Sequence, residues 1–420
     1  MSPKLVYHHN DNLFAHPCRP DHPERPLRLA AALSGVLTLK GVDLVRGKST
    51  PAPVSLAKKL HDSDYIDRLN EALHPEEFEI LDGGDTMRTH DSFNSSLSLL
   101  GSACSAIDDL AGGFAGTHMV LGRPAGHHAC TDRAMGFCLI GQAALAAKYA
   151  CDRHGMRVAL LDFDLHHGNG SQDLLWNEKD ILFASSHEIE NWPQSGHKNE
   201  VGTYGQVCNE PLHSGSGGIE ARAAWQNIFD RVAEFSPDII LVSAGFDAHG
   251  NDPLSGLNWC LEDYEWIGSR IGSLANEICD GRVLTILEGG YDLQVLRAGT
   301  YRYLAGLMGI KAPCPDVYLD VQLNGLGSPY FKGHESDRGT GRGFEVLKRH
   351  QRMWICDTMD GSLLYSSPSF QALNARTPLQ LVCDAANLNG ELTISQIIDM
   401  EAAQVRRFGY NPGRLRGDFK

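Results

Sequence analysis

Leu160-Leu161-Asp162-Phe163-Asp164-Leu165-His166-His167-Gly168-Asn169-Gly170 is the stretch on which both fold and chemistry turn. It opens as an apolar run and closes in carboxylates, imidazoles and glycine. A short apolar run bounded in this way reads as a strand buried on both faces, the mark of a parallel sheet. The polar residues then fall at the carboxyl edge of the sheet, where open α/β folds build their sites. Alternate residues of a strand share a face, so Asp162, Asp164 and His166 project together. A second string, Ser243-Ala244-Gly245-Phe246-Asp247-Ala248-His249, repeats the pattern. Asp164, His166 and Asp247 form an oxygen and nitrogen set suited to a divalent metal. Three protein ligands with room left for water is the catalytic pattern for zinc.

Working outward, five apolar runs read as strands of one sheet: 117–122, 157–164, 181–186, 238–244 and 282–288. Segments 137–153, 218–235 and 262–279 carry helical periodicity, and 291–310 reads as a closing helix. Strand, helix, strand at this spacing indicates βαβ units. The expected fold is therefore α/β: a single, mainly parallel sheet flanked by helices. Long Gly/Pro/His-rich segments at 8–26, 187–217 and 245–259 read as functional loops. Beyond Lys311 the character changes. Residues 312–345 are loop-like, 378–408 have helix-like apolar spacing, and the tail is basic. The expected division is a catalytic domain at 1–311 and a C-terminal extension at 312–420.

The formal net charge of -15 disfavours nucleic acid and anionic membranes and suits a cationic substrate. No apolar stretch is long enough to span a bilayer, and the first residues lack the apolar core of a signal peptide. The 11 cysteines are irregularly spaced, with no CxxC pair. Cys104, Cys138, Cys151 and Cys260 sit in apolar or mixed surroundings and read as buried thiols. These features lead one to expect an intracellular, cytoplasmic protein without zinc ribbon or disulfide framework.

Two further motifs carry chemistry. Gly126-His127-His128-Ala129 places two imidazoles after a strand, and adjacent histidines point different ways. Asp162 and Asn169 are placed to partner them. An Asp partner raises an imidazole's pKa, whereas an Asn partner adds no charge and leaves the ring free to act as a base. Leu287-Glu288-Gly289-Gly290-Tyr291-Asp292 lets the backbone turn tightly and brings Tyr291 to the sheet edge.

Together RPAGHHA, LDFDLHHGNG, AGFDAHGNDPL and LEGGY resemble the signature set of the zinc-dependent histone deacetylase superfamily, which includes the acetoin-utilisation and acetylpolyamine amidohydrolase proteins. The resemblance runs from about Tyr7 to Ile310, through HPERP at 22–26, LHDSDYIDRL at 60–69 and GFC at 136–138. Asn169 resembles the class II branch. The resemblance implies an arginase-like α/β fold and removal of acetyl groups from amines, first among them Nε-acetyl-lysine in proteins or peptides. Acetylated small amines such as acetylpolyamines are the alternative substrate. An inactive binding scaffold and arginase-type chemistry with two manganese ions are weaker alternatives, because the ligand and base set is intact and the tandem His and GGY motifs belong to the deacetylase branch.

The resemblance also implies roles. Asp164, His166 and Asp247 match the zinc ligands. His128 matches the general base, and His127 with Asp162 behind it the partner that stays protonated. Asn169 orients His128, and Tyr291 matches the hydroxyl that polarises the scissile carbonyl. Asp162, Asp164, His166, Ser185 and Ser186 match a structural potassium site. Gly136, Phe137, Trp192, Leu254 and Asp85 match substrate-binding positions. Trp192 stands where the family usually has Phe, and Leu254 where the polyamine-selective branch has Glu. Ala125 replaces the second of two prolines, Gly141-Gln142 stand near a usual Asn pair, and Glu210 replaces an apolar residue.

Overall fold

The computed structural model describes residues 2–9, 16, 18, 22–75, 77–84 and 86–310, together with the backbone of 354–356 and 363–366. Its strands are β1 Lys4–His9, β2 Asp43–Arg46, β3 Phe78–Ile80, β4 Met87–Thr89, β5 Thr117–Leu121, β6 Val158–Asp162, β7 Ile181–Glu188, β8 Val207–Leu212, β9 Ile239–Ala244, β10 Val283–Leu287, β11 Trp354–Cys356 and β12 Leu363–Ser366. The helices are α1 Leu27–Leu37, α2 Val54–Ala57, α3 Ser63–Asn70, α4 Ser92–Ala111, α5 Gln142–His154, α6 Asn169–Leu175, α7 Gly218–Phe235, α8 Leu261–Ile278 and α9 Leu293–Leu307.

Eight strands form one sheet in the order β2-β1-β5-β10-β9-β6-β7-β8. Every neighbouring pair in it is parallel. The alternation along β6 shows how the chain fills both faces. Ala159 and Leu161 join a core with residues of α1, α7, α8 and α9. Val158 and Leu160 join the opposite core with residues of α4 and α5. A fully buried side chain of this kind contributes roughly 1.5–3 kcal/mol, so the sheet is anchored from both sides just where its carboxyl edge emerges.

The five expected strands are present as β5, β6, β7, β9 and β10. Three more were hidden in segments read as loop or left unread. In β8, Val-Cys-Asn-Glu-Pro-Leu holds a proline and a carboxylate. It is an edge strand, bonded on one side to β7 alone, and proline is tolerated at an edge because no second neighbour needs its N–H. His8 and His9 belong to β1 and are buried despite their polarity. Short β2 forms the other edge.

The helix read at 137–153 begins later, at Gln142. The closing helix begins at Leu293, because the Asp292 carboxylate accepts the Gln294 and Val295 N–H groups as its cap. Of the thiols read as buried, Cys104 and Cys138 are; Cys151 is half-buried, and Cys260 is exposed immediately before α8. In the C-terminal extension β11 and β12 pair antiparallel. The loop-like 312–345 segment and the helix-like 378–408 segment lie outside the described residues. No helix among the described residues is long and apolar enough to cross a membrane.

Candidate active site

Five adjacent strands, β5, β10, β9, β6 and β7, end at one edge, and each delivers site residues there. The turn after β5 carries Gly126, His127 and His128. Beyond β6 come Asp164 and His166, beyond β9 Asp247, and beyond β10 Glu288 to Tyr291. Ser185 and Ser186 lie within β7, with Ser185 in register opposite Asp162.

Asp164, His166 and Asp247 are buried and each offers a ligand atom within 4.8 Å of the others. The backbone holds the carboxylates in place. Asp164 Oδ2 accepts the Gly289 N–H at 2.8 Å, and Asp247 Oδ1 accepts the Leu165 N–H at 3.0 Å. Gly289 has to be glycine, since a Cβ there would stand 2.3 Å from Asp247 Oδ2 and 2.4 Å from Asp164 Oδ2.

The donor set fits a divalent cation. Asp247 Oδ2 is buried, 3.4 Å from His166 Nδ1, and has no hydrogen-bond partner, although such a group in a native interior is normally satisfied. Burial and then the neighbouring Asp164 carboxylate push the Asp247 pKa upward. Burial pulls His166 down, but the Asp164 and Asp247 carboxylates outweigh it and push His166 up to about 10. Its proton supplies the positive charge that two converging carboxylates require, and a cation bound by these donors displaces it.

The tandem histidines are electrically opposite. His127 Nδ1 is 3.0 Å from Asp162 Oδ2. Burial disfavours the charged ring, but the Asp164 and Asp162 carboxylates raise its pKa well above the ordinary value. His128 Nδ1 instead lies 2.8 Å from Asn169 Oδ1. Burial, then the nearby His127 and His166, hold the His128 pKa well below the ordinary value. The ring centroids stand 3.9 Å apart, and their surroundings push the two pKa values in opposite directions.

The walls are aromatic. Trp192 meets His128 edge-on at 4.7 Å and His166 at 6.1 Å. Phe137 meets Tyr291 edge-on at 6.0 Å. Phe137 has φ 67, a costly conformation for an aromatic residue, and its N–H donates to Thr86 Oγ1 at 2.9 Å. Gly136, at φ 55, faces both His128 and Trp192. Tyr291 is buried, which pushes its hydroxyl well above the usual pKa; Arg28 opposes the shift, and the Asp247 and Asp164 carboxylates add to it. The hydroxyl therefore keeps its proton and can donate it in a hydrogen bond. Leu254 lies on the segment after Asp252 and is half-buried. Asp85 lies outside the described residues. Ser185 Oγ pairs with His187 Nδ1 at 3.0 Å, and Ser186 Oγ accepts the Trp225 N–H at 2.9 Å.

Four residues to which sequence reasoning gave no role support this site. Arg28 Nε donates to the Gly290 carbonyl at 2.5 Å, its NH2 group to the Glu288 carbonyl at 2.6 Å, and its guanidinium lies 4.7 Å from the Tyr291 ring centroid. Glu24 pairs with it at 2.9 Å; the HPERP string held that signal. Glu288 Oε2 accepts the N–H groups of Gly126 at 2.8 Å and His127 at 3.2 Å, and burial above all pushes its carboxyl up to about 7. Asp252 Oδ2 accepts the Tyr291 N–H at 2.7 Å.

Residues 22–307 match the Histone deacetylase domain family. The chain is 36% identical over 319 residues to "Histone deacetylase 10, chloroplastic" of Oryza sativa subsp. japonica, covering 70% of this chain and 72% of that protein. The crystal structure of the HDA15 HD domain superposes with a TM-score of 0.66 and 28% identity, over 74% of this chain and 90% of that one. Acetylpolyamine aminohydrolase from Burkholderia pseudomallei shares the fold, with a TM-score of 0.61 and 23% identity, over 73% of this chain and 99% of that one.

Proposed function

This chain belongs to the histone deacetylase family, and from that premise we propose that it is a zinc-dependent hydrolase of N-acetyl-lysine side chains in proteins or peptides. The observation that carries the reading is the unequal pairing of the tandem histidines, His127 with Asp162 and His128 with Asn169, beside the Asp164, His166 and Asp247 donor set. We assign the catalytic unit to 1–311. Zinc held by those three residues would supply Lewis acidity toward the amide carbonyl and lower the pKa of a water.

The rest of the chemistry belongs to the chain's own side chains. Neutral His128, oriented by Asn169, takes the proton from the attacking water. Its neutrality at ordinary pH matches that task. His127, held charged by Asp162 and Asp164, keeps a positive field beside the reacting carbonyl. The Tyr291 hydroxyl donates to the carbonyl oxygen as negative charge develops, a role worth roughly 3–4 kcal/mol for one such donor. His128, once protonated, returns the proton to the departing amine. Gly136, Phe137 and Trp192 enclose the methylene stem, and Asp85 is assigned to the substrate-binding set. Asp162, Ser185 and Ser186, with Asp164 and His166, would hold a structural potassium ion.

Leu254 favours the lysine substrate over a polyamine. An apolar side chain gives a second ammonium group no ion pair. The deciding experiment measures kcat/KM on acetyl-lysine peptides, N-acetylputrescine and N8-acetylspermidine, alongside metal analysis of the purified protein. Preference for the peptides with zinc bound upholds the reading. Preference for the acetylpolyamines replaces it with the small-amine one.

A further inference from the structure

Trp192 is 43% exposed, yet it stands edge-on over His128. Its edge contacts with His128 and His166 cover one side only, so its position also depends on the loop that carries it. That loop's brace is Glu188, the buried last residue of β7. Its Oε2 accepts from Asn191 Nδ2 and from the Gly256 N–H, each at 2.9 Å, and its Oε1 accepts from the Ser214 hydroxyl. One carboxylate thus joins three separate segments.

Asn191 continues the connection. Its Oδ1 accepts the Trp192 N–H at 2.8 Å, and its Nδ2 also donates to the Leu254 carbonyl at 3.2 Å. The Leu254 N–H donates to Asp252 Oδ1 at 3.1 Å, and Oδ2 of the same carboxylate accepts from Tyr291. A chain of hydrogen bonds therefore runs from the Trp192 wall to the backbone of Tyr291. Gly256 belongs to it by necessity, because a Cβ there would stand 1.7 Å from Glu188 Oε1.

We infer that Glu188, acting through Asn191 and Gly256, is a positioning residue that sets the separation of the Trp192 and Leu254 walls, and thereby selects a slim methylene stem over a bulkier amine. The role is geometric. Glutamine in place of Glu188 keeps one oxygen for Asn191 and Gly256 and turns an NH2 group toward Ser214, whose hydroxyl oxygen can accept. Alanine leaves all three donors without that partner. The kinetic part of the inference rests on the deacetylase reading; the position of Trp192 does not.

The test compares wild type with Glu188→Ala, Glu188→Gln, Asn191→Ala and Gly256→Ala. Acrylamide quenching reports Trp192 as the component of the fluorescence that Trp192→Phe removes. Steady-state kinetics use one peptide carrying acetyl-lysine and the same peptide carrying acetylated 4-aminophenylalanine. In Glu188→Ala the Trp192 component becomes more quenchable, KM for the acetyl-lysine peptide rises about 10-fold with kcat little changed, and preference for the methylene stem shrinks about 10-fold. Glu188→Gln stays near wild type. Unchanged quenching or unchanged preference in a folded alanine variant overturns the inference, as does a glutamine variant as impaired as alanine. Should Glu188→Ala not fold, Asn191→Ala and Gly256→Ala decide by the same readouts. Wild type that hydrolyses neither peptide sinks the deacetylase reading, while the quenching comparison still decides whether Glu188 holds Trp192.

Discussion

The floor of the site and its rim are built in different ways. On the floor, Asp164, Asp247, His127 and His128 are buried past strand ends; backbone N–H groups hold the two carboxylates, and Asp162 and Asn169 hold the two imidazoles. At the rim, Trp192 is half-exposed and Leu254 half-buried, and the Asn191 side chain joins them, accepting the Trp192 N–H and donating to the Leu254 carbonyl. A floor wired this tightly fixes a reaction class, because moving one charge exposes another to an uncompensated interior. A rim braced by side chains can change shape without disturbing that balance.

The largest effect belongs to the floor. Asp247→Ala should lose both bound zinc and activity, since it removes one of three donors. Metal analysis and turnover on an acetyl-lysine peptide check this, and a variant with stoichiometric zinc and full turnover would remove Asp247 from the ligand set. His128→Ala should lower kcat by about 10²–10⁴-fold, the range for a general base, while zinc stays bound. Loss of zinc alongside activity would instead make His128 part of the metal site.

Tyr291→Phe should cost about 10²–10³-fold in kcat, the loss of a single oxyanion donor, with KM nearly unchanged. A change confined to KM would move Tyr291 from the floor's chemistry to the rim's packing. Asn169→Asp sharpens the contrast between the two histidines. An aspartate 2.8 Å from His128 favours the imidazolium and raises its pKa. A base works only when neutral, so activity is lost below that pKa and the acid limb moves upward, by about 1–3 pH units. An acid limb that stays put would show that Asn169 does not govern His128.

The smallest effect belongs to the rim. Leu254→Glu should narrow the preference for acetyl-lysine peptides over N8-acetylspermidine by roughly 1 kcal/mol, the worth of an exposed ion pair. Ratios of kcat/KM measure it. An unchanged ratio would place selectivity elsewhere on the rim.

The sequence by itself determined the floor. Apolar runs ending in Asp162-Phe163-Asp164-Leu165-His166 and Gly245-Phe246-Asp247 are local patterns. A parallel strand places whatever follows it at the sheet's carboxyl edge, so five such strands foretold both the α/β fold and the donor set. The spacing of the donor set was legible for the same reason, and so were Asp162 and Asn169 as partners of the tandem histidines; which histidine takes which came only with the family resemblance. Tertiary structure alone decided the rest. β8 was hidden because an edge strand can carry Glu210 and Pro211, which a central strand would refuse. Arg28, Glu188 and Asp252 act on carbonyls and N–H groups far away in the chain. A backbone partner has no side-chain identity to leave in the sequence, so no pattern of residue types announces such a bond before the fold has formed it.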